Sequence, residues 1–170
     1  SNLLRRHYKK QELDDKFSSD YLKTYLKMLD PGKNYFLKSD INSFQKWSDQ
    51  LDDYSQSGFI SPGSEIFNIF KYRYLTRLNK NISLLEDQSS TFNLDTNQTI
   101  SYDIESKDWM SSTQEANEYW ERRLTDLLIR QFLNDEDENL EDAKEVLIKR
   151  FKNQLRLINQ RDSQDIFQIY

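Results

Sequence analysis

Only three glycines and two prolines punctuate 170 residues, and that scarcity limits what the chain can fold into. Architectures made of many tight turns depend on these two residues, whereas long helices are interrupted by them. The expectation is an all-α fold of about five to six helices in an irregular multi-helix domain. Ten Phe, ten Tyr and three Trp supply large, rigid pieces for a core. A chain of this length buries roughly two thirds of its unfolded surface, which suits one ordinary domain.

The helices can be read from apolar spacing. Phe17, Tyr21, Leu22, Tyr25, Leu26 and Leu29 recur at steps of three and four, marking one face of a helix from about Asp14 to Leu29. Asp30, Pro31 and Gly32 stop it. Ser39 is the expected N-cap of a second helix carrying Ile41, Phe44, Trp47, Leu51 and Tyr54, with Gly58 as its end. Ser61 and Pro62 open a third that runs to about Glu86, roughly 35 Å of helix.

Residues 88–111 break the pattern and predict a long polar loop, with a short extended stretch at 99–102 and Phe92, Tyr102 and Trp109 as anchors. Thr113 or Ser112 caps a fourth helix with Trp120, Leu124 and Leu128 inward. After the acidic run 134–139, a fifth extends from about Leu140 to Asn159, with Ala143, Leu147, Phe151 and Ile158 inward. Ser163 to Tyr170 begin like a further capped helix that stops after two turns.

A net charge of −5 argues against a phosphate backbone as partner, so no nucleic acid is expected. The absence of cysteine removes disulfides, thiolate metal sites and a cysteine nucleophile. No apolar run approaches the roughly 18 residues of a membrane span, and no membrane insertion is expected.

Several patterns imitate chemistry. His7 is the single histidine and lies in the basic stretch Arg5 to Lys10 without an acid to orient it, so it reads as part of a solvated terminal segment. Ser43 and Lys46 spell a serine and lysine spacing, but both belong to the polar face of a helix, where a lysine keeps a high pKa and is a poor base. Asp135, Asp137 and Asn139 resemble the start of a calcium loop. Leu140 then stands where glycine is required and Val146 where the bidentate glutamate belongs. No catalytic, cofactor-binding or metal-ligating residue is assigned, and no cofactor is expected.

Read in order, His7-Tyr8, Tyr21-Leu22, Leu29-Asp30-Pro31, Tyr35-Phe36-Leu37, Ser39-Asp40-Ile41 and Phe44 are followed by Ile66-Phe67-Asn68, Trp109, Trp120, Lys149-Arg150-Phe151 and Asp165-Ile166-Phe167. This series resembles the N-terminal domain of the bacterial tail-specific proteases, the long periplasmic type of carboxy-terminal processing protease. The resemblance implies a single helical domain over 1–170, cut from a longer periplasmic serine endopeptidase. The parent's PDZ domain, its protease domain and its Ser and Lys dyad would all lie outside this chain.

The fragment is then expected to be inactive alone and to support those domains, with docking of substrates or an adaptor as a second role. Its partners would be the parent's own domains and proteins recognised by their C-termini. Tyr35, Phe36, Trp109 and Trp120 are expected to be structural. The alternative is a free-standing helical protein-protein interaction module unrelated to proteolysis.

Overall fold

A computed structural model describes residues 19–47, 62–94, 104, 106–134 and 139–161. The fold is all-α, with five helices in chain order among the described residues. Helix α1 occupies 19–29 and buries Leu22, Tyr25 and Leu26. Helix α2, Lys38–Phe44, tightens into a 3-10 turn at Gln45–Trp47. Helices α3, Pro62–Glu86, α4, Thr113–Asn134, and α5, Leu140–Gln160, form the body. Helix α5 packs against both α3 and α4.

Helix α3 belongs to two cores. Its first half puts Ile66, Phe67 and Phe70 against Leu22, Tyr25 and Leu26 of α1, Phe36, Phe44 of α2 and Ile158 of α5. Its second half puts Leu78, Ile82 and Leu85 against Leu124 and Leu128 of α4 and Ala143, Leu147 and Phe151 of α5. Tyr74 packs against both clusters, so the two cores are joined along one helix. Each fully buried Leu or Phe contributes roughly 1.5–3 kcal/mol of transfer free energy.

The helix starts show how local chemistry set the boundaries. Ser39 was the expected cap of α2, but the N-cap is Leu37 and Ser39 lies inside the helix. The N–H of Leu37 is satisfied by the Asp40 carboxylate at 2.9 Å, which is the back-reaching half of a capping box. At α4, of the two residues proposed, Ser112 is the cap: its hydroxyl accepts from the Glu115 N–H at 3.1 Å and its carbonyl from the Ala116 N–H at 3.0 Å. At α5, Asn139 accepts from the Asp142 N–H at 3.0 Å, so the residue that imitated a calcium ligand is an N-cap.

Phe92 and Trp109 anchor the expected polar loop, packing against the second and first cores respectively. Tyr102, the extended stretch at 99–102, the later part of the second helix with Leu51, Tyr54 and Gly58, and residues 163–170 lie outside the described residues. One contact had no counterpart in the sequence reading. Leu37 and Met110 form an isolated parallel bridge, with the Lys38 N–H donating to the Met110 carbonyl at 2.9 Å.

Candidate functional site

The most connected polar region is built on the turn that ends α1. Asp30 is 1% exposed, and its carboxylate accepts from the N–H groups of Asn34 at 2.8 Å, Tyr35 at 2.8 Å and Phe36 at 3.0 Å. Three donors on one carboxylate favour its charged form and fix the backbone that delivers Tyr35 and Phe36 to the core. Burial nevertheless raises the Asp30 pKa above its ordinary value, with the three N–H groups and Lys107 pulling it back.

Two backbone positions make this turn possible. Lys33 sits at φ 50°, in the left-handed region that side-chain-bearing residues seldom adopt. At Gly32 an added Cβ would stand 2.4 Å from the Asn34 amide nitrogen. Asn34 cannot readily yield, because its side-chain oxygen accepts from Lys107 at 2.9 Å and from the Tyr119 hydroxyl at 2.8 Å. Its backbone carbonyl accepts from the Trp120 indole at 3.0 Å.

Lys107 arrives from the polar loop. Its ammonium donates to the Gly32 carbonyl at 2.9 Å and lies 4.0 Å over the Tyr119 ring, while Lys33 donates in return to the Lys107 carbonyl. Burial lowers the Lys107 pKa from 10.5 to about 8, with Asp30 opposing that shift and Arg123 and Lys33 adding to it. Around Trp120 stand Arg77 and Arg123, 5.9 Å and 5.5 Å from the ring centroid. Cations held over an indole face interact favourably with its quadrupole. Arg77 also donates to Asn117 at 3.0 Å.

A second tie secures the start of α2. Arg73 of α3 makes a bidentate pair with Asp40, both contacts at 2.9 Å, matching the fork geometry that makes such pairs specific. The same Asp40 holds the Leu37 N–H, so one carboxylate caps α2 and fastens it to α3.

This centre holds loops and helices in place. The Asp30 oxygens, the Lys107 ammonium and the Tyr119 hydroxyl are all engaged with protein groups. The residues that imitated catalysis are occupied elsewhere. Ser43 donates to the Asp40 carbonyl at 2.6 Å, and Lys46 pairs with Glu65 at 3.1 Å and stands 4.5 Å over the Trp47 ring. His7, Asp135 and Asp137 lie outside the described residues.

Among the described residues no cluster of three or more His, Cys, Asp or Glu side chains is placed to hold a metal, and no helix is long and apolar enough to cross a membrane. A cavity of about 550 Å³ between α4 and the 90–93 loop carries Glu118, Glu121, Arg122 and Asp126 beside Phe92.

Tyr35, Phe36, Trp109 and Trp120 are brought together. Tyr35 lies 5.5 Å from Trp120, and Phe36 lies 5.9 Å from Trp109, between ring centroids. Tyr119 lies beside Trp120 on the inward face that the apolar spacing of the fourth helix predicts, whereas Lys107, Asn34 and the two arginines belong to no such pattern. The available signal is Asp30 itself, a carboxylate that precedes Pro31 and Gly32 at a chain reversal whose backbone N–H groups need an acceptor.

The architecture is that of an all-α domain whose interior polar groups serve structure. The family model of the tail-specific protease N-terminal domain matches residues 1–170. The tail-specific protease of Haemophilus influenzae is 31% identical over 171 residues, an alignment that covers 100% of this chain and 24% of that protein. The chain therefore belongs to the tail-specific protease N-terminal domain family, and it spans 24% of the length of that relative.

Proposed function

We propose that this chain is the non-catalytic helical N-terminal domain of a periplasmic carboxy-terminal processing serine endopeptidase, folding as one domain over 1–170 and supporting PDZ and protease domains that follow it. The observation that carries this reading is the family match along the whole chain, combined with a relative of which the alignment covers 24%. The engagement of the polar groups around Asp30 with one another agrees with a scaffold role. In this reading the Ser and Lys dyad belongs to the following domains, and Ser43 and Lys46 have no part in it. Docking of protein substrates or of an adaptor is the second role.

The test is peptidase activity on a substrate with an apolar C-terminus. The chain alone should show no turnover, and it should raise turnover when added to the remaining domains of the protease. Cleavage by the chain alone, or no effect in trans on domains that are themselves folded, would overturn the reading.

A further inference from the structure

We propose that Lys107 and Asn34 are the two halves of an intramolecular isopeptide cross-link, formed when the Lys107 amine displaces ammonia from the Asn34 side-chain amide. The Lys107 Nζ donates to the Asn34 Oδ1 at 2.9 Å. An ammonium can only donate, so the atom that faces it is the amide oxygen. The amide carbon Cγ lies one C=O bond, about 1.2 Å, beyond that oxygen. Tilting the amine off the oxygen brings Nζ to the roughly 3–3.5 Å from which attack on a carbonyl starts.

The surroundings favour this step in three ways. The amide is held in place, since the Tyr119 hydroxyl donates to Oδ1 at 2.8 Å and the Trp120 indole donates to the Asn34 backbone carbonyl at 3.0 Å. The Tyr119 hydroxyl thereby points at the atom on which negative charge develops, the place of an oxyanion donor. Burial raises its pKa, so it keeps its proton at pH 9. The half-buried amine faces Asp30, Arg123 and Lys33. Burial and the two cations outweigh Asp30 and lower its pKa to about 8, which frees the nucleophilic lone pair. The common competitor is disabled as well. An asparagine amide ordinarily loses ammonia to the next backbone nitrogen, here that of Tyr35, whose N–H is held by the Asp30 carboxylate at 2.8 Å.

The Nζ–Cγ bond forms while Oδ1 takes the electron pair under the Tyr119 hydroxyl, and the proton lost by Nζ passes to Nδ2. The carbonyl then re-forms, the Cγ–Nδ2 bond breaks and ammonia leaves on the side that Gly32 keeps free of a side chain. No further reactant is consumed. The product keeps the Tyr119 bond on Oδ1 and one N–H for the Gly32 carbonyl that Lys107 already meets. It closes a ring around α2 and α3, and such closure restricts the unfolded chain. An amide is a poor electrophile, so the bond accumulates over days and the freshly purified chain is the free-amine precursor.

The test holds the full 170-residue chain folded at pH 9 for a fortnight and reads its intact mass and peptide fragments. A species lighter by one ammonia is expected, with the peptides bearing Asn34 and Lys107 joined, and it should accumulate several-fold faster at pH 9 than at pH 7. The same chain held unfolded in guanidinium should form none. Tyr119→Phe keeps the ring and should slow the reaction at least about tenfold, and Lys107→Arg should abolish it, with circular dichroism reporting the fold of both variants. The unmutated chain decides the matter by itself: absence of joined peptides in its folded state overturns the proposal. So does ammonia loss that persists in Lys107→Arg, which would mark ring closure on the Tyr35 nitrogen.

Discussion

The Lys107 ammonium donates to the backbone carbonyl of Gly32 at 2.9 Å across 75 positions of sequence, tying the long polar loop to the turn that ends α1. Burial sets the folded-state pKa of this lysine at about 8, against 10.5 ordinarily. Between those values the unfolded chain binds more protons than the folded one, so this group makes stability rise with pH across that window. Burial raises the pKa of Tyr25 and Tyr35, and these residues act oppositely above pH 10. The stability of the protein minus that of Lys107→Met should therefore grow from pH 7.5 to about 9.5 in urea titrations. A Lys107 ε-methylene titration with a midpoint at 10.5 would refute the burial argument. The neutral amine keeps two donors for its two acceptors, so the loop stays attached.

Asp30→Ala leaves three N–H groups, those of Asn34, Tyr35 and Phe36, without their acceptor. The expected loss is about 3 kcal/mol or more, because each such bond to a charged group is worth roughly 1.5–3 kcal/mol and the donors are buried at Phe36 and partly buried at Asn34 and Tyr35. Urea midpoints at pH 7 check it. A loss below about 1 kcal/mol would mean that water replaces the carboxylate.

Asn81 is fully buried on α3, and neither polar atom of its side chain has a partner among the described residues. An unpaired buried amide costs roughly 1–3 kcal/mol, and leucine has a similar size. Asn81→Leu is expected to raise the unfolding midpoint by the equivalent of about 1 kcal/mol. Destabilisation would show that a polar group holds Asn81 in place.

Asn139→Ala removes the cap of α5 and should cost about 1 kcal/mol. Thermal unfolding of the unmutated chain should be unmoved by millimolar calcium, since Asn139 already spends its oxygen on the Asp142 N–H. A calcium-dependent rise in Tm that Asn139→Ala abolishes would restore the metal reading.

The tie between Arg73 and Asp40 is partly buried, with side chains 29% and 11% exposed. A double-mutant cycle through Arg73→Met and Asp40→Asn should return a coupling of about 1 kcal/mol, above the usual value for exposed pairs. A coupling near zero would leave Asp40 as a cap alone.

The sequence by itself determined the helices, the family and most of the core. Apolar residues at steps of three and four define a helix through local geometry alone, which is why α3 begins at Pro62 and ends at Glu86 as expected. Leu78, Leu124 and Leu147 were legible for the same reason. Capping was legible only in part: Ser112 is local to its helix, but the start of α2 moved to Leu37 because the Asp40 carboxylate supplies the cap and Arg73 of another helix holds that carboxylate.

The centre around Asp30 was decided by tertiary structure. Asp30 and Lys107 carry no periodic signal, and both are far in sequence from Tyr119, so only the packed fold can remove the three from water together. Once water is excluded, a buried donor or acceptor without a protein partner is costly, and the polar groups around Asp30 find partners in one another. Asn34 thereby became the point where α1, the polar loop and α4 meet.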